Sequence, residues 1–140
     1  MSAPSAALSP VALRFLATPG RYAVIATLGA DGTPHQVVVW YRLDDDGLLI
    51  NSLVGRRWSR ELLADRRIAF AVHESDATSH REDYVAVQAE VVVAATGPEA
   101  LGDIEDLARR YGDDPTGFEG QARISFRLVP RAVSVHGTLE

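Results

Sequence analysis

The chain has 140 residues, a mass of 15.2 kDa, and 14 basic against 19 acidic residues, for a net charge of −5. That length suits one domain spanning 1–140, and 46% hydrophobic with 24% charged residues excludes wholesale disorder. Net acidity argues against nucleic acid or an anionic membrane as partner, and the absence of cysteine excludes disulfides, thiolate metal sites and cysteine nucleophiles.

Every basic residue is an arginine, so a lysine Schiff base and a phosphate-loop lysine are excluded too. The opening MSAPSAALSPVALRF has neither a basic start nor a long apolar block. Apolar stretches such as Val37–Tyr41 and Val91–Ala95 are five residues long, far short of the roughly 20 that a spanning helix needs. A soluble, cytoplasmic protein with no membrane partner is the expectation.

Residues 1–20 read as an N-terminal helical segment and 21–138 as a barrel. Ser9 suits a helix N-cap and Pro10 the first helical position, since proline lacks only an N–H that would be orphaned there. Val11, Leu13 and Leu16 recur at near-helical spacing until Pro19-Gly20 stops the helix. Strands follow. Tyr22–Leu28 is apolar, Asp31-Gly32 supplies a tight turn, and His35–Leu43 returns. Asp44-Asp45-Asp46-Gly47 is the next turn and Leu48–Leu53 the third strand.

Trp58, Leu62 and Leu63 predict a short helix over 57–65 with a basic first turn. Helix dipoles favour acids there, and a docked anion would repair the mismatch. Arg67–His73 is a fourth strand, Glu74–Glu82 a polar loop and Asp83–Ala95 a long fifth strand. Leu101, Ile104, Leu107, Ala108 and Tyr111 define an amphipathic helix over Pro98–Tyr111. Ala122–Leu128 and Ala132–His136 close the chain, with Pro130 breaking or bulging the strand between them. The whole reads as a mainly β fold: a small antiparallel β-barrel with peripheral helices.

Candidate chemistry is sparse. His35, His73, His80 and His136 form no HxxH or HExxH pair, so no metal site is predicted. No GxSxG elbow is present. Asp44–Asp46 reads as a solvated hairpin tip. Arg56, Arg57 and Arg60, followed by Arg66 and Arg67, crowd into twelve positions of an acidic chain. Arginine forks suit phosphate and carboxylate, so a strand end, a glycine and a helix start carrying arginines form a candidate phosphate cradle; a solvated face of salt bridges is the alternative. Trp58 either lies over a planar ligand or packs in the core.

Four stretches in order then resemble the flavin-binding split-barrel superfamily that includes pyridoxamine 5'-phosphate oxidases. AVIATLGADGTPHQVVVWY (Ala23–Tyr41) is similar to the superfamily's opening ATL…DG…P hairpin. GRRWSRELLADRRIAFAV (Gly55–Val72) resembles its cofactor segment, and DYVAVQAEVVV (Asp83–Val93) its long strand. GDIEDLARRYGDDP followed by RISFRLVPRAVSVHG resembles its closing helix and strand. More narrowly, the chain looks like the deazaflavin-dependent (F420-dependent) branch.

The resemblance implies a six-stranded antiparallel split β-barrel that forms a homodimer, with two cofactor sites at the interface. It implies a cofactor phosphate at Arg56, Arg57 and Arg60, beside Trp58. It implies a flavin-like ring along His35, Gln36, Val37 and Val38 and along Asn51 and Ser52. The implied function is F420-dependent hydride transfer to a small unsaturated or conjugated substrate. The alternatives are an FMN-binding oxidase or flavin reductase and a non-catalytic cofactor-binding dimer. Tyr41, His73 and Tyr84 are candidate proton donors with nothing to choose among them. The family's usual asparagine is replaced by Glu61, an added acid that would weaken anion binding if it faced the site.

Overall fold

The structure, a computed structural model, describes residues 6–76 and 78–139. Residues 1–5 of the N-terminal segment, Ala77 of the polar loop and Glu140 lie outside the described residues.

Helix α1 spans Pro10–Ala17; the Ser9 side chain accepts from the Ala12 N–H at 3.2 Å, as the N-cap reading requires. Its buried face of Ala12, Phe15 and Leu16 plugs one end of the core. Seven strands follow: β1 (Ala23–Leu28), β2 (Pro34–Val39), β3 (Arg42–Asp44), β4 (Gly47–Leu53), β5 (Arg67–Asp76), β6 (Arg81–Thr96) and β7 (Arg123–His136). They form one antiparallel sheet in the order β2-β1-β5-β6-β7-β4-β3. Helix α2 (Arg57–Ala64) follows β4, and α3 (Gly97–Arg110) links β6 to a 3₁₀ turn at Pro115–Phe118.

Alternation puts one side chain in two inside the sheet. Ile25, Ile50, Phe70, Val87 and Phe126 meet there, each 1% exposed or less. Full burial of such a side chain contributes about 1.5–3 kcal/mol. Strand β4 departs from alternation because it is covered on both sides, from Leu48 through Ser52. Helix α3 lays Ala100, Ile104, Leu107 and Ala108 over its outer face, and the Asn51 Nδ2 donates to the Ala100 carbonyl at 2.9 Å.

Three strand boundaries differ from the sequence reading. His35–Leu43 is two strands, which makes seven rather than six. Trp40 and Tyr41 leave the ladder because side chains take over their bonding: the Tyr41 N–H donates to the Tyr111 hydroxyl at 3.2 Å, and Trp40 stacks on the Tyr111 ring at 5.2 Å. The polar segment Glu74–Glu82 is mostly strand, since β5 and β6 run on past the core as an exposed ribbon paired as far as Asp76 and Arg81. Its polarity reflects solvent on both faces. Strand β7 is continuous. Pro130 faces Ala89 and Ala132 faces Gln88, so Arg131 is the extra residue of a bulge and the strand bends without ending.

No helix among the described residues is long and apolar enough to cross a membrane.

Candidate functional site

A groove of about 620 Å³ opens between the β2 edge and the layer formed by β4, α3 and the 3₁₀ turn. Its apolar walls include Val37, Val39, Trp58, Ile104, Leu107 and Phe118. At its cationic end are Arg56, Arg57 and Arg123. Gly55, at φ +88°, turns the chain off β4 so that the arginines arrive at the start of α2. That helix has no side-chain cap at Arg56 and no acid in its first turn, so its first N–H groups have no side-chain acceptor.

The groove gathers seven of the ten predicted positions: His35, Val37, Val38, Asn51, Arg56, Arg57 and Trp58. The other three are elsewhere. Gln36 faces the opposite side of the sheet, beside Val24, Ala26 and Ala69. Ser52 is fully buried and donates to the Leu53 carbonyl at 3.0 Å. Arg60 lies one helical turn away in a separate hollow with Leu28, Gly29 and Asp65. Trp58 packs in the core: it is 3% exposed and its ring lies 6.2 Å from that of Phe126, while part of it also lines the groove wall.

Arg123 was not anticipated. It is only 5% exposed, yet it has no carboxylate partner among the described residues; its Nε donates to the Asn51 Oδ1 at 2.9 Å and one terminal nitrogen to the Gln121 Oε1 at 3.0 Å. The Phe118 ring lies 5.5 Å from the guanidinium carbon. Burial, and then the nearby charge of Arg56, push its pKa down to about 10. A legible signal existed: Arg123, Ser125 and Arg127 alternate on β7, so polar side chains occupy the face that α3 covers. Arg127 and Ser125 find acids there, Asp44 at 2.6 Å and Asp103 at 2.7 Å; Arg123 does not.

Glu61 is the second residue whose role was not foreseen. It turns one oxygen back into the fold, toward Thr27 and His35, and the other toward Arg57, one of the three cations of the groove. Its Oε1 accepts from the Thr27 hydroxyl at 2.9 Å and sits 2.8 Å from the His35 Nδ1, while Oε2 lies 3.4 Å from the Arg57 Nε. Burial alone would raise its pKa, but the bonds from His35 and Thr27 and the charge of Arg57 outweigh this and hold it below the usual carboxylate range. Glu61 therefore takes up part of the Arg57 charge and leaves Arg56 and Arg123 uncompensated.

The three candidate proton donors lie away from the groove. Tyr41 is buried and donates to the Leu16 carbonyl at 2.6 Å, and burial pushes its pKa well up. His73 and Tyr84 pair across β5 and β6 on the outer face, where Tyr84 stacks on His136 at 5.0 Å. Among the described residues no group of three or more His, Asp or Glu side chains is placed to hold a metal ion.

This fold is that of a known class. The sequence profile of the pyridoxamine 5'-phosphate oxidase family matches residues 11–137, and the chain belongs to that family. Among solved structures, the conserved hypothetical protein Rv2991 from Mycobacterium tuberculosis superposes with a TM-score of 0.78 at 21% identity, covering 97% of this chain and 88% of that one. An F420 reductase gives 0.67 at 24% identity, covering 85% and 93%. HutZ, the heme storage protein of Vibrio cholerae, gives 0.71 at 19% identity, covering 93% and 95%. At these identities the likeness is one of fold. A comparison with curated protein sequences finds no match.

Proposed function

We propose that the groove binds a flavin-type cofactor, F420 in the first instance, and that the protein transfers a hydride between it and a small unsaturated or conjugated substrate. One observation carries this reading: Arg56 and Arg123 close a largely apolar groove with two cations that make no ion pair with any described residue, Asp113 in the same lining included. A flat ring with an anionic tail satisfies both halves. Val37, Val39 and Leu107 would hold the ring, while Arg56, Arg123 and the uncapped start of α2 would hold the tail. The hydride chemistry belongs to the cofactor when bound. The protein's share is to bind, orient and exclude water.

The outer sheet face supports a homodimer. Val24 is 42% exposed there, among small residues including Ala26, Ala69, Ala71 and Ala86. A second copy covering that face would bury apolar area that a monomer leaves in water. Sedimentation at micromolar concentration should give a dimer; a monomer would contradict this part. A cytoplasmic location remains part of the proposal.

The test is a titration of the full chain with F420, FMN and haem, followed by tryptophan fluorescence, since Trp40 and Trp58 both line the groove. Quenching by F420 with weak FMN binding is the expected result. A preference for FMN would move the protein to an FMN-dependent oxidase or flavin reductase. Binding of haem alone, or of nothing, would overturn the reading.

A further inference from the structure

His35 reaches the groove from β2, and Glu61 holds it from α2 behind the groove wall. The pair has two supports. Thr27, fully buried on β1, donates its hydroxyl to the same carboxylate oxygen that faces His35. Arg57 occupies the other oxygen. The Glu61 side chain is thus bonded on both oxygens.

A carboxylate held ionised can only accept hydrogen bonds. The His35 Nδ1, 2.8 Å from it, must therefore carry its hydrogen in both charge states of the ring. Only Nε2 is left to gain or lose a proton. It has no partner among the described residues, and it is not among the enclosed atoms that lack one, so it is open to the groove that His35 lines.

We propose that His35 Nε2 is the acid–base atom of the groove, facing the polar edge of the bound ligand, and that Glu61 is the residue that positions it. The inference rests on the cofactor reading above for its reductant, a reduced deazaflavin or flavin. When a substrate accepts a hydride at one atom and a conjugated atom gains negative charge, the Nε2–H bond of the imidazolium breaks and the proton passes to that second atom. The electron pair stays on Nε2, and solvent restores the proton. In the reverse direction Nε2 takes the proton up.

Long-range ¹⁵N–¹H correlation of the full-length protein tests it. His73, His80 and His136 are exposed and lie outside the groove, so they serve as internal references. At a pH where His35 is neutral, the wild type should show it with hydrogen on Nδ1, the minority form of free imidazole; hydrogen on Nε2 would overturn the proposal. Glu61→Leu should return the ring to the Nε2–H form. A ring still protonated on Nδ1 in that variant would remove Glu61 from the role. Saturation with F420 or FMN should move the Nε2 signal of His35 and leave those of the other three in place. Binding without that movement overturns this inference and leaves the cofactor reading standing. Failure of both cofactors to bind overturns both.

Discussion

Two regions of this molecule are rich in arginine, and they differ in what surrounds the charge. Under α3, Arg42 reaches Asp44, Asp103 and Asp106 at 3.1–3.3 Å, and Arg127 reaches Asp44 at 2.6 Å. In the groove, Arg123 has only the neutral partners Asn51 and Gln121, and Arg56 has no ion pair among the described residues. The acid–base response runs in opposite directions. Burial lowers the pKa of Arg42, but bonds and charges from Asp106, Asp103 and Asp44 reverse the effect and raise it. Burial and Arg56 lower that of Arg123 to about 10. A neutralised arginine, Arg42, fastens β3 to α3. A desolvated and uncompensated one costs stability, and a bound anion recovers that cost.

Breaking the paired network should have the largest effect. Arg42→Ala strips a cation from three carboxylates and should cost about 2–3 kcal/mol, somewhat less than for fully buried pairs because Asp106 reaches solvent. Urea unfolding measures it, and a loss below about 0.5 kcal/mol would erase the contrast. Arg123→Met should do the reverse. Its unfolding free energy should match or exceed that of the wild type, while F420 binding should weaken by about 1.5–2 kcal/mol, as for loss of a charge-assisted hydrogen bond. A markedly less stable variant with unchanged binding would make Arg123 a structural residue.

Acid titration sharpens the comparison from the other side. Burial would raise the pKa of Asp106, but Arg110 and Arg42 hold it below its ordinary 3.8. The folded state then binds fewer protons than the unfolded one, so this stability is present above about pH 4 and lost as pH falls through the lower folded value. Asp106→Asn should flatten the stability profile in that window, and an unaltered profile would show the carboxylate to be unimportant. The smallest effect is expected at Arg60, which lies outside the groove. Arg60→Ala should change F420 affinity by less than about 0.5 kcal/mol, as for an exposed charge; a tenfold loss would mean that the anion spans both hollows.

The elements were largely legible because hydrophobic period and turn chemistry are local. The α1 cap at Ser9, the Asp31-Gly32 hairpin and the α3 stripe needed no tertiary information. The division of His35–Leu43 was not legible, because it depends on Tyr111, seventy positions away, accepting the Tyr41 N–H. The groove was visible as the arginines near α2 and the apolar alternation of β2. Arg123 was hidden because its meaning is an absence: only the folded arrangement reveals that Ser125 and Arg127 on the same face reach acids while Arg123 does not. Glu61 read as a defect in an anion site. Its direction, toward Thr27 and His35, is set by the packing of α2 against β1 and β2.

The account turns on those uncompensated cations. Its most direct test is a calorimetric titration of F420 into the wild type and into an Arg56→Ala, Arg123→Met double variant, at matched ionic strength. The expected result is saturable binding by the wild type and a loss of at least tenfold in a variant that still unfolds cooperatively. Equal affinity in the two proteins would contradict the groove as the anion-binding site.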